Sequence, residues 1–244
     1  PSYNSQTTIN DTIKSIINQT HRDIEYIIID GLSTDKTLAI IDKYQQQFPI
    51  KLISESDKGI YDAMNKGIKM VSGDIVGILN SDDFYYNNNV LLEVQQLFKT
   101  NQDIDAVYGD LIYIDKDNIN KQTRYWRSGE CNEKKINNGW IIPHPTFFVK
   151  KEIYQKCAKL FDTNFSIAAD YELMLRLLKV DKIQTRYLPK ILVKMRNGGT
   201  SGKNIQQRIK GWQELKKAWL INNLKLPRFF ITRRLFFKIF QYIF

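Results

Sequence analysis

The chain has 244 residues, of which 43% are hydrophobic and 25% are charged. This balance is typical of a globular protein and excludes a mostly disordered chain or a small disulfide-stabilised protein. Cys131 and Cys157 do not form a C-x-x-C zinc motif, and two histidines are too few for a histidine-rich metal centre. Free thiols in a reducing cytoplasm are therefore expected.

Positive charge is concentrated near the carboxyl end. The net charge is +10, and residues 201–244 contain ten of the 36 lysines and arginines but a single acid, Glu214. Residues 1–200 are close to neutral, so the high isoelectric point describes the last fifth of the chain. A nucleic-acid partner is therefore not expected for the main body.

Apolar residues alternate between helical and strand spacing through the first half of the chain. The spacing predicts helices at 6–19, 34–47, 59–70 and 89–99, and strands at 24–29, 50–53, 74–79 and about 104–108. This alternation predicts an α/β fold with a largely parallel sheet. The pattern is irregular over 110–165, and a further helix is predicted from about 170 to 179.

Acidic side chains follow three of the predicted strands. Asp30, Asp57 and the pair Asp82 and Asp83 come directly after apolar runs. Right-handed crossovers place the carboxyl ends of parallel strands at one edge, where ligands bind in such sheets. Mg²⁺ with a diphosphate would relieve the repulsion between adjacent carboxylates, although an acidic loop or helix cap is an equally simple interpretation. No P-loop or G-x-G-x-x-G motif is present.

Four segments together resemble glycosyltransferase family 2, whose members have the GT-A fold. They are IEYIIIDGLSTDKT at 24–37, SESDKGIYDAMNKG at 54–67, GDIVGILNSDD at 73–83, and ADYEL at 169–173 with Arg176. The third segment looks like the family's D-x-D metal motif and the fourth like its catalytic E-D segment. The four occur in the family's order over roughly residues 1–176.

The resemblance implies a donor site at the strand ends. Asp30 is expected at the nucleotide base, and Asp57 and Lys58 along the base or ribose. Asp82 is expected at the ribose, and Asp83 as the ligand of Mg²⁺ or Mn²⁺. Residues before Pro1 are expected to form the first strand, with Tyr3 and Asn4 at its end, in the donor site.

The resemblance also implies that Asp170 is the general base of an inverting transfer. A single displacement at the anomeric carbon needs a base for the acceptor proton and positive charge at the departing diphosphate. The helix predicted after Asp170 would favour its ionised form. The alternative is a helix cap without a catalytic role.

Three further residues are candidates for acceptor contact. His144 lies between two prolines in a stretch that flanks the acceptor pocket in similar family members, and a core histidine is the alternative. Trp140 could stack on a sugar, although tryptophans pack in cores more often. Glu172 lies in the catalytic segment. The run Gly198–Ser201 resembles a Gly-Gly-x-Ser element that could contact a diphosphate, or it is a flexible joint.

The carboxyl-terminal residues 228–244 combine aromatic residues with Arg233, Arg234 and Lys238. The segment is too short and too charged to span a bilayer, which requires ~20 apolar residues. A basic amphipathic helix on an anionic membrane surface is predicted, with a helix docked on the catalytic body or in a dimer as the alternative. A lipid-linked acceptor at the cytoplasmic leaflet would explain a membrane helix.

These features predict a catalytic domain over residues 1–200 and a basic helical tail over 201–244. The predicted activity is metal-dependent, inverting transfer of one sugar from a nucleotide sugar, with UDP as the default nucleotide. The acceptor is a saccharide or lipid-linked saccharide in cell-surface polysaccharide assembly. A processive Q-x-x-R-W motif is not matched. The alternatives are a nucleotidyltransferase on a similar sheet and a catalytically silent binding module with a membrane-associating tail.

Overall fold

The computed structural model describes residues 1–198 and 205–241, and within this part it leaves out the side chains of 237–240. The helices are α1 (Ile9–Ile17), α2 (Thr37–Gln45), α3 (Ile60–Met70), α4 (Val90–Thr100), α5 (Glu133–Asn137), α6 (Lys151–Lys156), α7 (Ala169–Lys179), α8 (Ile205–Ile221) and α9 (Phe230–Phe240). The strands are β1 (Tyr26–Asp30), β2 (Ile50–Ser54), β3 (Ile75–Gly77), β4 (Phe84–Tyr85), β5 (Ala106–Ile114), β6 (Gln122–Trp126), β7 (Phe148–Lys150) and β8 (Thr185–Arg196).

The predicted alternation of helix and strand through residue 108 is confirmed, and the sheet is more mixed than the sequence predicts. β1 pairs with β2 in parallel, and β5 pairs with β8 in parallel. β3 with β7, β4 with β8, and β5 with β6 and β7 are antiparallel. The chain returns from β5 to β6 through the short connection 115–121, which suits an antiparallel neighbour.

A cavity of about 800 Å³ separates β1 from β3. Its lining includes Tyr26 and Ile27 of β1, Ile75 of β3, and Ile68 of α3 below them. Ser2 pairs with the open edge of β1, because its N–H donates to Ile29 O at 2.8 Å and its carbonyl accepts from Gly31 N at 2.9 Å. This edge of β1 can therefore hold an added strand in the parallel direction.

The main hydrophobic core surrounds α7 and includes residues from the carboxyl-terminal segment. Leu173 and Leu177 of α7 are almost fully buried, as are Trp219 of α8 and Phe230 of α9. Buried aromatic rings bring large apolar areas into such a core. Residues on both sides of the expected boundary near 200 therefore share one hydrophobic cluster.

Candidate active site

Asp30 ends β1, and its carboxylate is fully buried. It accepts hydrogen bonds from Ser33 N at 2.9 Å, Ser33 Oγ at 2.5 Å and Ser54 Oγ at 2.9 Å. Ser54 ends the neighbouring strand β2, so Asp30 ties together the carboxyl ends of both parallel strands. This arrangement fixes the backbone at the sheet edge where a ligand is expected.

Tyr3 and Asp57 lie on either side of Gly31 at this edge. A methyl group on Gly31 would lie 2.6 Å from Asp57 Oδ2, so the carboxylate would have to move, and 3.5 Å from the Tyr3 ring, which is ordinary contact. The Tyr3 side chain is 64% exposed, and Asp57 Oδ1 accepts from Gly59 N at 2.8 Å. Tyr3 and Asp57 therefore lie close together at this edge of the sheet.

Two further expected donor residues, Asn4 and Lys58, are exposed. Asn4 has a left-handed backbone with φ 47°, and its Oδ1 accepts from Thr34 N at 2.9 Å. Lys58 is exposed, and its N–H donates to Asp62 Oδ2 at 3.0 Å, at the start of α3. Asn4 thus shapes the turn after β1, and the Lys58 side chain is accessible from solvent.

The two adjacent aspartates after β3 face different environments. Asp83 is fully buried, where its carboxylate accepts from Arg196 N at 3.3 Å and from Asn80 Nδ2 at 3.4 Å. Burial and the neighbouring Asp82 charge raise the pKa of Asp83 well above its ordinary value. Asp82 is only half-buried. Asp83 therefore turns inward and Asp82 is the more accessible of the two, while their expected roles at a metal and at a ribose stay predictions.

Arg196, at the end of β8, holds the loop that contains these aspartates. Its guanidinium donates to the carbonyl oxygen of Asp82 at 2.5 Å and forms an ion pair with Asp11 of α1. Sequence reasoning missed Arg196, since it lies more than 110 residues from Asp82 in the chain. Only the return of β8 beside β4 brings it to the loop.

The loop offers oxygen ligands that suit a hard divalent cation. The buried Asn80 Oδ1 has no hydrogen-bond partner, and it lies two residues before the half-buried Asp82. Within residues 1–198 and 205–241 no group of three or more His, Cys, Asp or Glu side chains is assembled for a metal. Mg²⁺ commonly uses one or two carboxylates together with substrate phosphates. The Asp82 carboxylate and Asn80 Oδ1 therefore suit such an ion.

Asp170 lies in the first turn of α7, as expected, and it is only half-buried. Its Oδ1 accepts a hydrogen bond from Tyr61 Oη at 3.2 Å, and the same hydroxyl contacts Ile167 O at 2.7 Å. Burial, followed by the Asp170 charge, raises the pKa of Tyr61 far above its ordinary range. Tyr61 therefore stays protonated, and its single hydroxyl hydrogen is shared between Ile167 O and Asp170 Oδ1. Sequence reasoning did not assign Tyr61 this link between α3 and Asp170.

His144 lies in a single helical turn, His144–Thr146, close to the same residues. Its ring packs edge-on against Phe161 at 5.6 Å, and Phe161 stacks on Tyr61 at 5.8 Å. Burial lowers the pKa of His144, and the charge of Asp170 opposes that effect. His144 is therefore neutral at neutral pH and lies within electrostatic reach of Asp170.

Trp140 and Glu172 are in the core instead of at a pocket. Trp140 is 6% exposed, and its indole N–H donates to Ser128 O at 3.0 Å. Glu172 is 2% exposed and pairs with Arg176 at 3.0 Å. The acceptor roles expected for both residues disagree with this placement, because their hydrogen-bonding groups are already used inside the protein.

After residue 198 the structure next describes two helices, α8 and α9, which pack against the rest of the protein. Residues 199–201 of the glycine-rich element lie outside the described residues. In α9, Arg234 donates to Gly139 O at 2.5 Å and Arg233 to Asn138 Oδ1 at 3.0 Å, so its basic face contacts the catalytic body. The sequence left open whether this helix lies on a membrane or packs on the catalytic body, and in the structure it packs on the catalytic body. Phe229 and Phe236 remain 74% and 60% exposed.

The fold is that of a glycosyltransferase, and the chain belongs to glycosyl transferase family 2, whose sequence model matches residues 1–164. It is 26% identical over 190 residues to a PGL/p-HBAD biosynthesis glycosyltransferase of Mycobacterium bovis (strain BCG / Pasteur 1173P2). That match covers 77% of this chain and 71% of the relative.

Solved structures of glycosyltransferases confirm the predicted GT-A fold. The structure of S. aureus TarS 1–349 with UDP-GlcNAc matches with a TM-score of 0.68 at 17% identity, over 98% of this chain and 72% of that one. The chain spans 43% of the longer TarS chain. A mannosyltransferase from Pyrobaculum calidifontis, solved with GDP-Man and Mn²⁺, matches with a TM-score of 0.67 at 17% identity, over 97% and 68%.

Proposed function

We propose that this glycosyltransferase moves one hexosyl group from a nucleotide diphosphate sugar to a saccharide or lipid-linked saccharide, with inversion, during cell-surface polysaccharide assembly. The observation that carries the proposal is the hydrogen bond from Tyr61 to Asp170. Tyr61 lies four residues after Asp57 in the chain, so it connects the donor edge directly to a carboxylate suited to be a base.

Asp170 takes the proton of the acceptor hydroxyl as the oxygen attacks the anomeric carbon. Attack from the side opposite the diphosphate inverts the configuration, and no covalent sugar–enzyme intermediate is formed. The protonated Tyr61 donates to Asp170 and keeps the carboxylate oriented for proton transfer. His144, neutral and adjacent, is the proposed contact for the acceptor.

The donor would lie across the sheet edge between Tyr3 and the aspartate loop. Asp57 and Lys58 face the base or ribose, and Asp30 organises the turn that Asn4 contacts. UDP is the proposed nucleotide, supported by the UDP-GlcNAc complex of TarS, and GDP is the competing one because the mannosyltransferase was solved with GDP-Man.

A divalent cation, Mg²⁺ or Mn²⁺, is proposed to bind at Asp82 together with the unpartnered Asn80 Oδ1. The buried Asp83 holds the loop in place from inside the protein. When bound, such a cation stabilises the negative charge of the leaving diphosphate as a Lewis acid. The Mn²⁺ in the mannosyltransferase structure supports the choice of ion.

The experiment is thermal unfolding with UDP, GDP, dTDP or CMP, each with and without Mn²⁺. One nucleotide should raise the melting temperature in a Mn²⁺-dependent manner, because ligand binding to the native state stabilises it. Asp82→Asn should remove the Mn²⁺ dependence, and the matched Asp74→Asn, at an exposed aspartate before β3, should keep it. A chain that gives no shift with any nucleotide would contradict the proposal.

We also propose that the carboxyl-terminal helices lie on the anionic cytoplasmic face of a membrane, which would bring a lipid-linked acceptor to Asp170. The described helices include none long and apolar enough to cross a bilayer. Phe229 and Phe236 of the α9 region are exposed, beside exposed Lys225 and Arg228. Exposed aromatic residues flanked by bases suit the interface of an anionic bilayer.

Sedimentation with vesicles tests the membrane contact. The full chain should bind phosphatidylglycerol vesicles and bind phosphatidylcholine vesicles less. Phe229→Ser combined with Phe236→Ser should release it from both, and Tyr86→Ser, at an exposed tyrosine after β4, is the matched control. Equal binding by the double variant and the control would remove the membrane proposal and leave the transfer reaction untouched.

A further inference from the structure

Glu214 of α8 is a buried carboxylate that binds the loop directly before the catalytic helix. It is 7% exposed, and its two oxygens accept four hydrogen bonds. Ser166 N at 3.0 Å and Ser166 Oγ at 2.8 Å donate to Oε1, and Ile167 N and Ala168 N, both at 2.9 Å, donate to Oε2. Burial acts to raise the pKa of Glu214, but these donors lower it below its ordinary value, so the group is ionised.

The loop held by Glu214 has no other cap of its own. Ala168 is the residue before α7, and it has no side chain that could bond the first turn. A carboxylate that accepts three successive backbone N–H groups is a strong, charge-assisted restraint on the path of the chain. Glu214 therefore fixes where α7 begins, at Ala169, and Asp170 is the next residue.

The same loop is held from its other side by Tyr61. The N–H of Ile167 donates to Glu214, while its carbonyl oxygen accepts from Tyr61 Oη at 2.7 Å. The single hydrogen of that hydroxyl is shared with Asp170 Oδ1, which lies 3.2 Å away. The backbone of Ile167 is thus bonded to Glu214 through its N–H and to Tyr61 through its carbonyl oxygen, and a shift of this residue would move the hydroxyl that orients Asp170.

We propose that Glu214 is a positioning residue for the reaction, acting on Asp170 through the Ile167 peptide and Tyr61. This inference rests on the proposed role of Asp170 as the base. It assigns the basic carboxyl-terminal segment a part in turnover, because α8 supplies the carboxylate that sets the geometry of the catalytic carboxylate. A displacement of about 1 Å in such a group can cost as much as about 100-fold in rate.

The test compares Glu214→Gln with the unaltered chain. Glutamine keeps the size of the side chain but replaces one acceptor oxygen with an NH₂ group that faces backbone donors. Release of nucleoside diphosphate from UDP-GlcNAc or GDP-mannose with Mn²⁺ should fall about 10- to 100-fold in kcat, with the donor KM unchanged. Amide hydrogen exchange of Ile167 and Ala168 should become faster.

Two controls separate positioning from general stabilisation. Ser166→Ala removes one of the four donors and should change kcat less than about 3-fold. Asn222→Ala removes a side-chain bond between the residue after α8 and the Glu172 carboxylate of α7 but none of the bonds from Glu214 to residues 166–168. It should lower stability while leaving kcat unchanged. An equal loss of kcat in Asn222→Ala and Glu214→Gln would overturn the proposal, because any loosening of α7 would then suffice.

Tyr61→Phe tests the same pathway without altering Glu214. It should lower kcat. In the double variant with Glu214→Gln, the fold-decrease in kcat should be smaller than the product of the two single decreases, because both changes act on the backbone of Ile167. Unchanged kcat in either single variant, or unchanged exchange of Ile167, would overturn the inference. If Glu214→Gln does not fold, the Tyr61→Phe result decides. Full turnover by Asp170→Asn would instead remove the proposed function itself.

Discussion

The donor edge and the base region hold their carboxylates by different means. The donor edge comprises Asp30, its turn and the end of β2, and the base region comprises α7, loop 166–168 and α8. Asp30 is bonded by Ser33, three residues away, and by Ser54 on the neighbouring strand. Asp170 is bonded by Tyr61, which is 109 residues away, and its loop by Glu214, which is more than 40 residues away.

The difference has a physical consequence. The donor edge is built from short turns and paired strands, so its geometry depends mainly on nearby residues. The base region depends on a hydrophobic core that joins distant parts of the chain. We therefore expect the two regions to respond differently to mutation, with donor binding and turnover separable from each other.

The largest expected effect is on turnover in Asp170→Asn. Asparagine keeps the hydrogen bond to Tyr61 but cannot take a proton, so kcat should fall by about 10²- to 10⁴-fold. The Mn²⁺-dependent melting shift with nucleotide should stay as in the unaltered chain, because the donor edge is not touched. Loss of that shift in Asp170→Asn would show that the two regions are not separable.

The next effect is on stability in Trp219→Ala. This side chain is 1% exposed and donates to Tyr171 Oη at 2.8 Å, so its removal should cost about 3–5 kcal/mol in the free energy of unfolding. Trp212→Ala, on the same helix at a tryptophan that is 36% exposed, should cost less than about 1 kcal/mol. Urea unfolding measures both, and equal costs would contradict the observed docking of α8.

A smaller effect is expected at the donor edge in Ser54→Ala. It removes one of the three donors to the buried Asp30 carboxylate, and a hydrogen bond to a charged group contributes about 1.5–3 kcal/mol. Both the nucleotide affinity and the free energy of unfolding should decrease, while kcat at saturating donor should stay unchanged. Ser56→Ala, at an exposed serine two residues along, is the matched control and should leave affinity unchanged.

The smallest effect concerns the pH dependence of stability. The pKa of His144 is lowered from 6.5 by burial, so below pH 6.5 the unfolded chain binds a proton that the folded chain does not. Stability should therefore be complete above pH 6.5 and decrease as pH falls, by at most about 1.4 kcal/mol per pH unit. Unfolding in urea at pH 7.5 and 5.5 should show a smaller decrease in His144→Gln, whereas His21→Gln should behave as the unaltered chain.

Much of the fold could be predicted because its signals are local. The apolar spacing of residues 6–108 is set within single helices and strands. The predicted elements there are observed to within a few residues of their expected bounds, except that β5 continues to Ile114. Beyond residue 110 the long strands β5 and β8 pair across the sheet, and no local pattern specifies which strand lies next to which. The mixed direction of the sheet was therefore missed.

The candidate site could be predicted in part for the same reason. Asp30, Asp57 and Asp170 follow a strand end or begin a helix, and these positions are visible in the sequence. Tyr61 and Glu214 were missed as supporting residues, because a helical tyrosine and a helical glutamate carry no local signal of a distant partner. Trp140 and Glu172 were expected at the acceptor because sequence does not reveal the depth of a side chain.

The sequence by itself determined the alternation of elements and the aspartates at the strand ends, since both depend on residues within a few positions of each other. Only the tertiary structure decided which of Asp82 and Asp83 turns inward, because that depends on Arg196 from β8. It also decided that the basic face of α9 packs on the protein and that Glu214 reaches loop 166–168. Burial and long-range hydrogen bonds exist only once the chain has folded, so they leave no pattern in the order of residues.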